Sequence, residues 1–197
     1  MRKFWKVIIL IFVAGIMAGD LLIDYQAQVQ AHPQESQAAV LQDRNVGIAV
    51  GDLAPEFSGT TIDGQTVALS DLDGKLVVIN VFASWCGPCR AETPHLVEIY
   101  DELDRDEVEF VGLNLQETPG AVQTFKEEFS IEYPLLLNEG GEITDIYSPI
   151  GLPTTWFIDQ EGIVRFTFSG PLTKESLQVI LDDVAAGRVP DPFAVIS

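Results

Sequence analysis

Leu76-Val77-Val78-Ile79-Asn80-Val81-Phe82, followed by Ala83-Ser84-Trp85-Cys86-Gly87-Pro88-Cys89-Arg90, is an apolar run that opens into two cysteines three residues apart. The run is broken only by Asn80, the pattern of a strand buried on both faces. Beyond it Leu96, Ile99, Tyr100 and Leu103 recur at helical spacing, so a helix begins near Cys86. A thiol at a helix N-terminus faces unpaired N–H groups and the positive end of the dipole, and both favour thiolate. Cys86, at the exposed start, is therefore the expected nucleophile. Cys89, one turn further in, is placed to attack the mixed disulfide. Pro88 stiffens the turn, and Gly87 leaves room for a substrate backbone.

These are the only two cysteines in the chain. A bridge between residues so close in sequence closes almost no loop and adds little stability. Chemistry explains the pair better than stapling does. A c-type haem site needs histidine directly after the second cysteine, and that residue is Arg90. Structural zinc needs four ligands, and the only histidines are His32 and His95. No metal is expected, and no cofactor beyond the Cys86–Cys89 disulfide itself.

Outward from this segment the elements alternate. Asp63-Gly64 between two short extended runs signals a hairpin. Residues 108–115 read as a second central strand. Thr118-Pro119 is a hydroxyl cap with proline in the first turn, starting a helix with Val122, Phe125 and Phe129 inward. A short strand at 133–137 and a brief helix at 143–147 follow. Residues 154–158 and 163–168 flank a turn, with Val164, Phe166 and Phe168 alternating inward. A last helix runs from Thr173 to a stop at Gly187. The order predicts an α/β fold: a central mixed sheet flanked by helices on both faces, with an N-terminal β-hairpin extension.

The 197 residues divide into a segment 1–24, a flexible tether 25–47, a globular domain 48–188 and a tail 189–197. In the first, Arg2, Lys3 and Lys6 precede an uncharged stretch at 7–19. Basic residues ahead of an apolar stretch keep the start in the cytoplasm while the remainder crosses. Thirteen residues suits a signal-peptide core, whereas spanning needs about 20. An uncleaved signal anchor is preferred over a cleaved, secreted form, and both put the domain outside the cytoplasm. The net charge of −19 lies in residues 48–197, because the first 47 carry four acids and four bases. Such a surface disfavours nucleic acid and anionic lipid as partners. It serves solubility, or it steers a basic protein partner.

Far downstream, Gly151-Leu152-Pro153-Thr154-Thr155 opens a strand with a proline that would cost a ladder hydrogen bond. A cis Leu152–Pro153 bond would set the preceding backbone against the dithiol, where an extended substrate could pair with it. A trans turn is the other reading. The cysteine motif favours cis.

Trp85-Cys86-Gly87-Pro88-Cys89, with Pro94 five residues on, resembles the thioredoxin active site. Gly51-Asp52-Leu53-Ala54-Pro55-Glu56-Phe57, Asn80 to Trp85, Glu92-Thr93-Pro94 and residues 151–159 resemble more closely the membrane-anchored TlpA/ResA-like thiol–disulfide oxidoreductases, over residues 50–187. The resemblance implies a thioredoxin-like fold and a periplasmic or other extracytoplasmic enzyme that reduces disulfides in client proteins. Apocytochrome c in cytochrome c maturation, or oxidase assembly factors, are the implied clients. It implies recharging by a membrane thiol–disulfide electron donor, Pro153 and Leu152 binding client backbone, and Trp85 in the docking rim, unless Trp85 only packs. Thioredoxin carries a buried Asp where this chain has Asn80, and an amide is no general base. Glu92, one turn after Cys89, is the candidate for proton transfer, with an ordinary helix-surface carboxylate as the alternative.

Three other classes fit these residues less well. A peroxiredoxin would place Thr and Pro where Ala83 and Asn80 stand. A copper metallochaperone of similar fold would need cysteines four apart and a downstream histidine. A disulfide-introducing oxidase or isomerase differs chiefly at Gly87-Pro88.

Overall fold

In the computed structural model, which describes residues 44–192, the hairpin is β1 (Ser58–Thr60) paired antiparallel with β2 (Thr66–Ala68). One 3-10 turn, Leu69–Leu72, leads to β3 (Leu76–Phe82). Then come α1 (Gly87–Glu102), β4 (Val108–Asn114), α2 (Pro119–Phe129), β5 (Leu135–Leu136) and α3 (Glu142–Tyr147). β6 (Thr154–Ile158), β7 (Val164–Ser169) and α4 (Lys174–Ala185) complete the order. The expected segment 1–24, and the tether as far as residue 43, lie outside the described residues. None of the described helices is long and apolar enough to cross a membrane.

The main sheet has strand order β5-β4-β3-β6-β7. β3 is central, and all seven of its residues are buried, as an apolar run without alternation requires. It pairs parallel with β4 and antiparallel with β6, so the sheet is mixed. Alternate residues feed two cores. Leu76, Val78 and Phe82 face a cluster built with Leu96 and Ile99 of α1, Phe125 of α2 and Leu177 and Ile180 of α4. Val77, Ile79 and Val81 face the other side, with Phe57, Ile143, Tyr147 and Trp156. Both cysteines belong to the first cluster.

Three local expectations shift. Thr118 holds the N-cap position of α2, but its hydroxyl makes no capping bond; Pro119 and the extended backbone at 118 start the helix. The short strand contracts to Leu135–Leu136, because only these two pair with β4. Ordered structure begins before residue 48. Gly47 donates to the carbonyl of Leu53, and Leu53 to that of Asn45, so residues 45–47 join the domain rather than the tether.

Gly112 of β4 lies beside Asn80 of β3 and Leu135 of β5. A Cβ there would meet Leu135 Cδ2 at 2.4 Å, with the Phe82 and Tyr133 rings at 3.2 and 3.3 Å. Leu135 is fully buried, so a shift of its methyl presses on packed neighbours. Gly112→Ala should destabilise the domain by about 1–3 kcal/mol through overpacking, read as a lower urea midpoint at unchanged slope.

Candidate active site

β3 ends at Phe82, and α1 begins five residues later at Gly87, with Cys86 as its N-cap. The Cys86 N–H donates to the Ala83 carbonyl at 3.1 Å, closing a tight turn with Ser84 and Trp85 at its centre. Cys86 and Cys89 form a disulfide, their Cα atoms 5.3 Å apart. The Cys89 N–H donates to Cys86 Sγ at 3.2 Å, so the sulfur itself meets one of the helix's unpaired amides. Thr93 Oγ1 donates to the Cys89 carbonyl at 2.7 Å, directly before Pro94, which cannot donate within the helix.

Cys86 was expected to be exposed and is only 5% so, against 0% for Cys89. The disulfide folds both sulfurs against the apolar cluster, and access comes from one side. There Gly87 and Pro88 are exposed, and Trp85 is 69% exposed. Trp85 is therefore not a packing residue. The Leu152–Pro153 peptide bond is cis. Pro153 is buried directly before β6, whose Thr154 pairs with Val81 near the end of β3. Leu152, half-buried, packs against the cluster that contains the cysteines. The segment carrying Leu152 and Pro153, more than 60 residues beyond the cysteines, thus lies at the end of the sheet where β3 leads into them.

Glu92 corrects the surface alternative. It is 1% exposed, on the inner face of α1. Asn80 Nδ2 donates to Glu92 Oε1 at 2.8 Å and to Thr155 Oγ1 at 2.9 Å. The Leu172 N–H donates to Glu92 Oε2 at 3.0 Å. Burial pushes the Glu92 carboxyl up to about 7, against the downward pull of the Leu172 and Asn80 bonds. A group balanced there can hold or release a proton near neutral pH, one helical turn from Cys89. Projecting the Leu96–Ile99–Tyr100 stripe back by four residues falls on Glu92, so helical spacing carried the signal. Ser84, Arg90 and Glu117 also meet beside the turn, and no local pattern announces that meeting, because Ser84 and Glu117 are 33 residues apart.

Comparison with known proteins adds family and class. Residues 50–167 match the model of the AhpC/TSA family. The thiol-disulfide oxidoreductase ResA of Oceanobacillus iheyensis is 37% identical over 149 residues, covering 74% of this chain and 78% of that one. The protein of the same name from Bacillus cereus is 31% identical over 183 residues, covering 93% and 96%. Among solved structures, a thiol:disulfide interchange protein of the thioredoxin family from Chlorobium tepidum aligns with TM-score 0.62 and 32% identity, over 68% of this chain and 96% of that one.

The buried carboxyl makes stability depend on pH. In the folded chain Glu92 keeps its proton up to about pH 7, whereas its ordinary value is 4.5. Between those values the unfolded chain ionises and the folded one does not. The contribution is full below pH 4.5 and is lost as the pH rises through 7, by roughly 3 kcal/mol. Unfolding free energies of the wild type should fall by about that amount relative to Glu92→Gln across this window, and parallel curves would refute the assignment.

Proposed function

The chain belongs to the AhpC/TSA family and is a thiol–disulfide oxidoreductase of thioredoxin-like fold; from that premise we propose that it reduces disulfides in client proteins outside the cytoplasm. The observation that carries the reading is the Cys86–Cys89 pair at the N-terminus of α1, above the buried Glu92 carboxyl.

The reduced Cys86 thiolate attacks one sulfur of a client disulfide, forming a mixed disulfide and releasing the other client sulfur as thiolate. Cys89 gives its proton towards Glu92 and attacks Cys86 Sγ, so the second client sulfur leaves and the Cys86–Cys89 bond closes. Two electrons have passed to the client. The backbone of Leu152 receives the client strand, because the Pro153 carbonyl already accepts the Gly170 N–H at 2.9 Å. Trp85, Gly87 and Pro88 form the rim on which the client rests. With two cysteines in the whole chain, re-reduction comes from another molecule, a membrane thiol–disulfide donor. The basic and apolar start of the chain supports a membrane anchor with the domain outside. The resemblance of residues 50–187 to the TlpA/ResA-like oxidoreductases is what points to clients of cytochrome assembly, such as apocytochrome c. Gly87-Pro88 between the cysteines supports the reducing direction over disulfide introduction.

Direction is decided by the reduction potential of the purified chain in a glutathione or dithiothreitol redox buffer. A value near or below about −250 mV is expected, and one near about −120 mV would make the protein an oxidant. Cys86→Ser should abolish exchange, whereas Cys89→Ser should accumulate a client mixed disulfide that non-reducing gels detect. Glu92→Gln should slow turnover by about 10²-fold and flatten its pH profile near 7; an unchanged rate and profile would remove Glu92 from proton transfer.

A further inference from the structure

Ser84 is held from both sides by charged side chains. Its N–H donates to Glu117 Oε2 at 2.7 Å, and its hydroxyl donates to Glu117 Oε1 at 2.5 Å. Its carbonyl accepts from Arg90 Nη1 at 3.2 Å. Each holder is itself fixed. Asn114 Nδ2, at the end of β4, donates to Glu117 Oε2 at 2.7 Å, and the Glu117 N–H returns a bond to Asn114 Oδ1 at 3.0 Å. The Arg90 guanidinium pairs with Glu128 of α2 and lies 5.1 Å from the centre of the Phe129 ring. Every backbone polar group of Ser84 is thus engaged by a side chain that another element anchors.

We propose that Glu117 and Arg90 are positioning residues for the cysteine pair. They hold the Ala83–Cys86 turn so that Cys86 Sγ stays on the Cys89 amide at the N-terminus of α1 while Trp85 stands in solvent. The proposal rests on Cys86 being the attacking thiol. The physical case is one of relative strength. The turn has one backbone bond of its own, Cys86 N–H to the Ala83 carbonyl. Trp85, its other central residue, is too exposed to anchor it by packing. Hydrogen bonds to ionised groups are roughly twice as strong as neutral ones, and three of them converge on Ser84. A turn that relaxed would let the sulfur leave the amides that favour thiolate. It would also move Trp85 on the rim.

The test is the pH dependence of iodoacetamide alkylation at Cys86 in the reduced full chain, followed by mass spectrometry of the peptide containing it. Two effects of altering Glu117 have opposite signs. Removing a negative charge alone favours thiolate and lowers the midpoint, whereas loss of alignment raises it. Glu117→Ala is expected to raise the midpoint by about half a pH unit or more, a threefold or larger loss of thiolate at fixed pH below it. Glu117→Gln keeps an acceptor for the Ser84 N–H and should show no rise. An unmoved or lowered midpoint in Glu117→Ala would overturn the proposal, even if that variant melts earlier. Should Glu117→Ala fail to fold, Ser84→Ala, which removes only the hydroxyl arm, decides on the same titration: a raised midpoint supports the clamp and an unmoved one overturns it. The titration reads the cysteine and not a client, so a wild type that reduced no protein disulfide would sink the proposed direction while leaving this result readable.

Discussion

A carboxyl group can be taken out of water only if its oxygens are met by donors, and at Glu92 the donors come from different parts of the chain. Asn80 reaches it from β3 and Leu172 from the segment ahead of α4, while Thr155 of β6 shares the Asn80 amide. The arrangement fixes where α1 sits against the sheet, because sliding the helix by one turn would strand the carboxyl without partners. Cys89 rides on that helix one turn above and Cys86 caps it, so their placement at the end of β3 depends on the same bonds. Desolvation outweighs the donors, and the acid is tolerated near neutral pH by staying partly protonated. One buried group thus joins α1 to β3 and to the segment ahead of α4, and it does so with a carboxyl whose pKa burial has raised to about 7.

What could be read from the sequence follows the range of the interactions. The buried strand, the helix after it and the cysteine pair at their junction are local patterns, and all are found where periodicity puts them. The hairpins and Gly187 are local too; Gly187 adopts the positive φ that a helix stop needs. Pro153 was placed by chemical pairing with the dithiol, and its cis bond agrees. Glu92 lay on the buried stripe yet was also allowed a surface position, because a carboxylate is rarely placed inside without visible partners. Those partners, at positions 80 and 172, are 12 residues before it and 80 after it. The same holds for Glu117 and Ser84: neither residue is unusual in its own segment, and only the fold makes them neighbours.

Charge around the site is arranged differently from charge on the rest of the molecule. The globular region carries the whole of the net −19, yet the groups facing solvent beside the disulfide are Trp85, Gly87 and Pro88, none of them charged. The charged residues closest in the network are turned to internal tasks. Glu92 is buried, Glu117 is bonded to Ser84 and Asn114, and Arg90 is bonded to Ser84 and Glu128. A client disulfide is itself apolar, and bringing it against ionised groups that must first shed water would oppose contact. With those groups already satisfied by the protein, what is left exposed beside the disulfide is an aromatic face and an open turn. The acidic surface further out can still act at range on an approaching protein, within the screening length of the medium. Any long-range effect of net charge, which salt would screen, is therefore separate from the proposed dependence of exchange on how rigidly the turn before Cys86 is held.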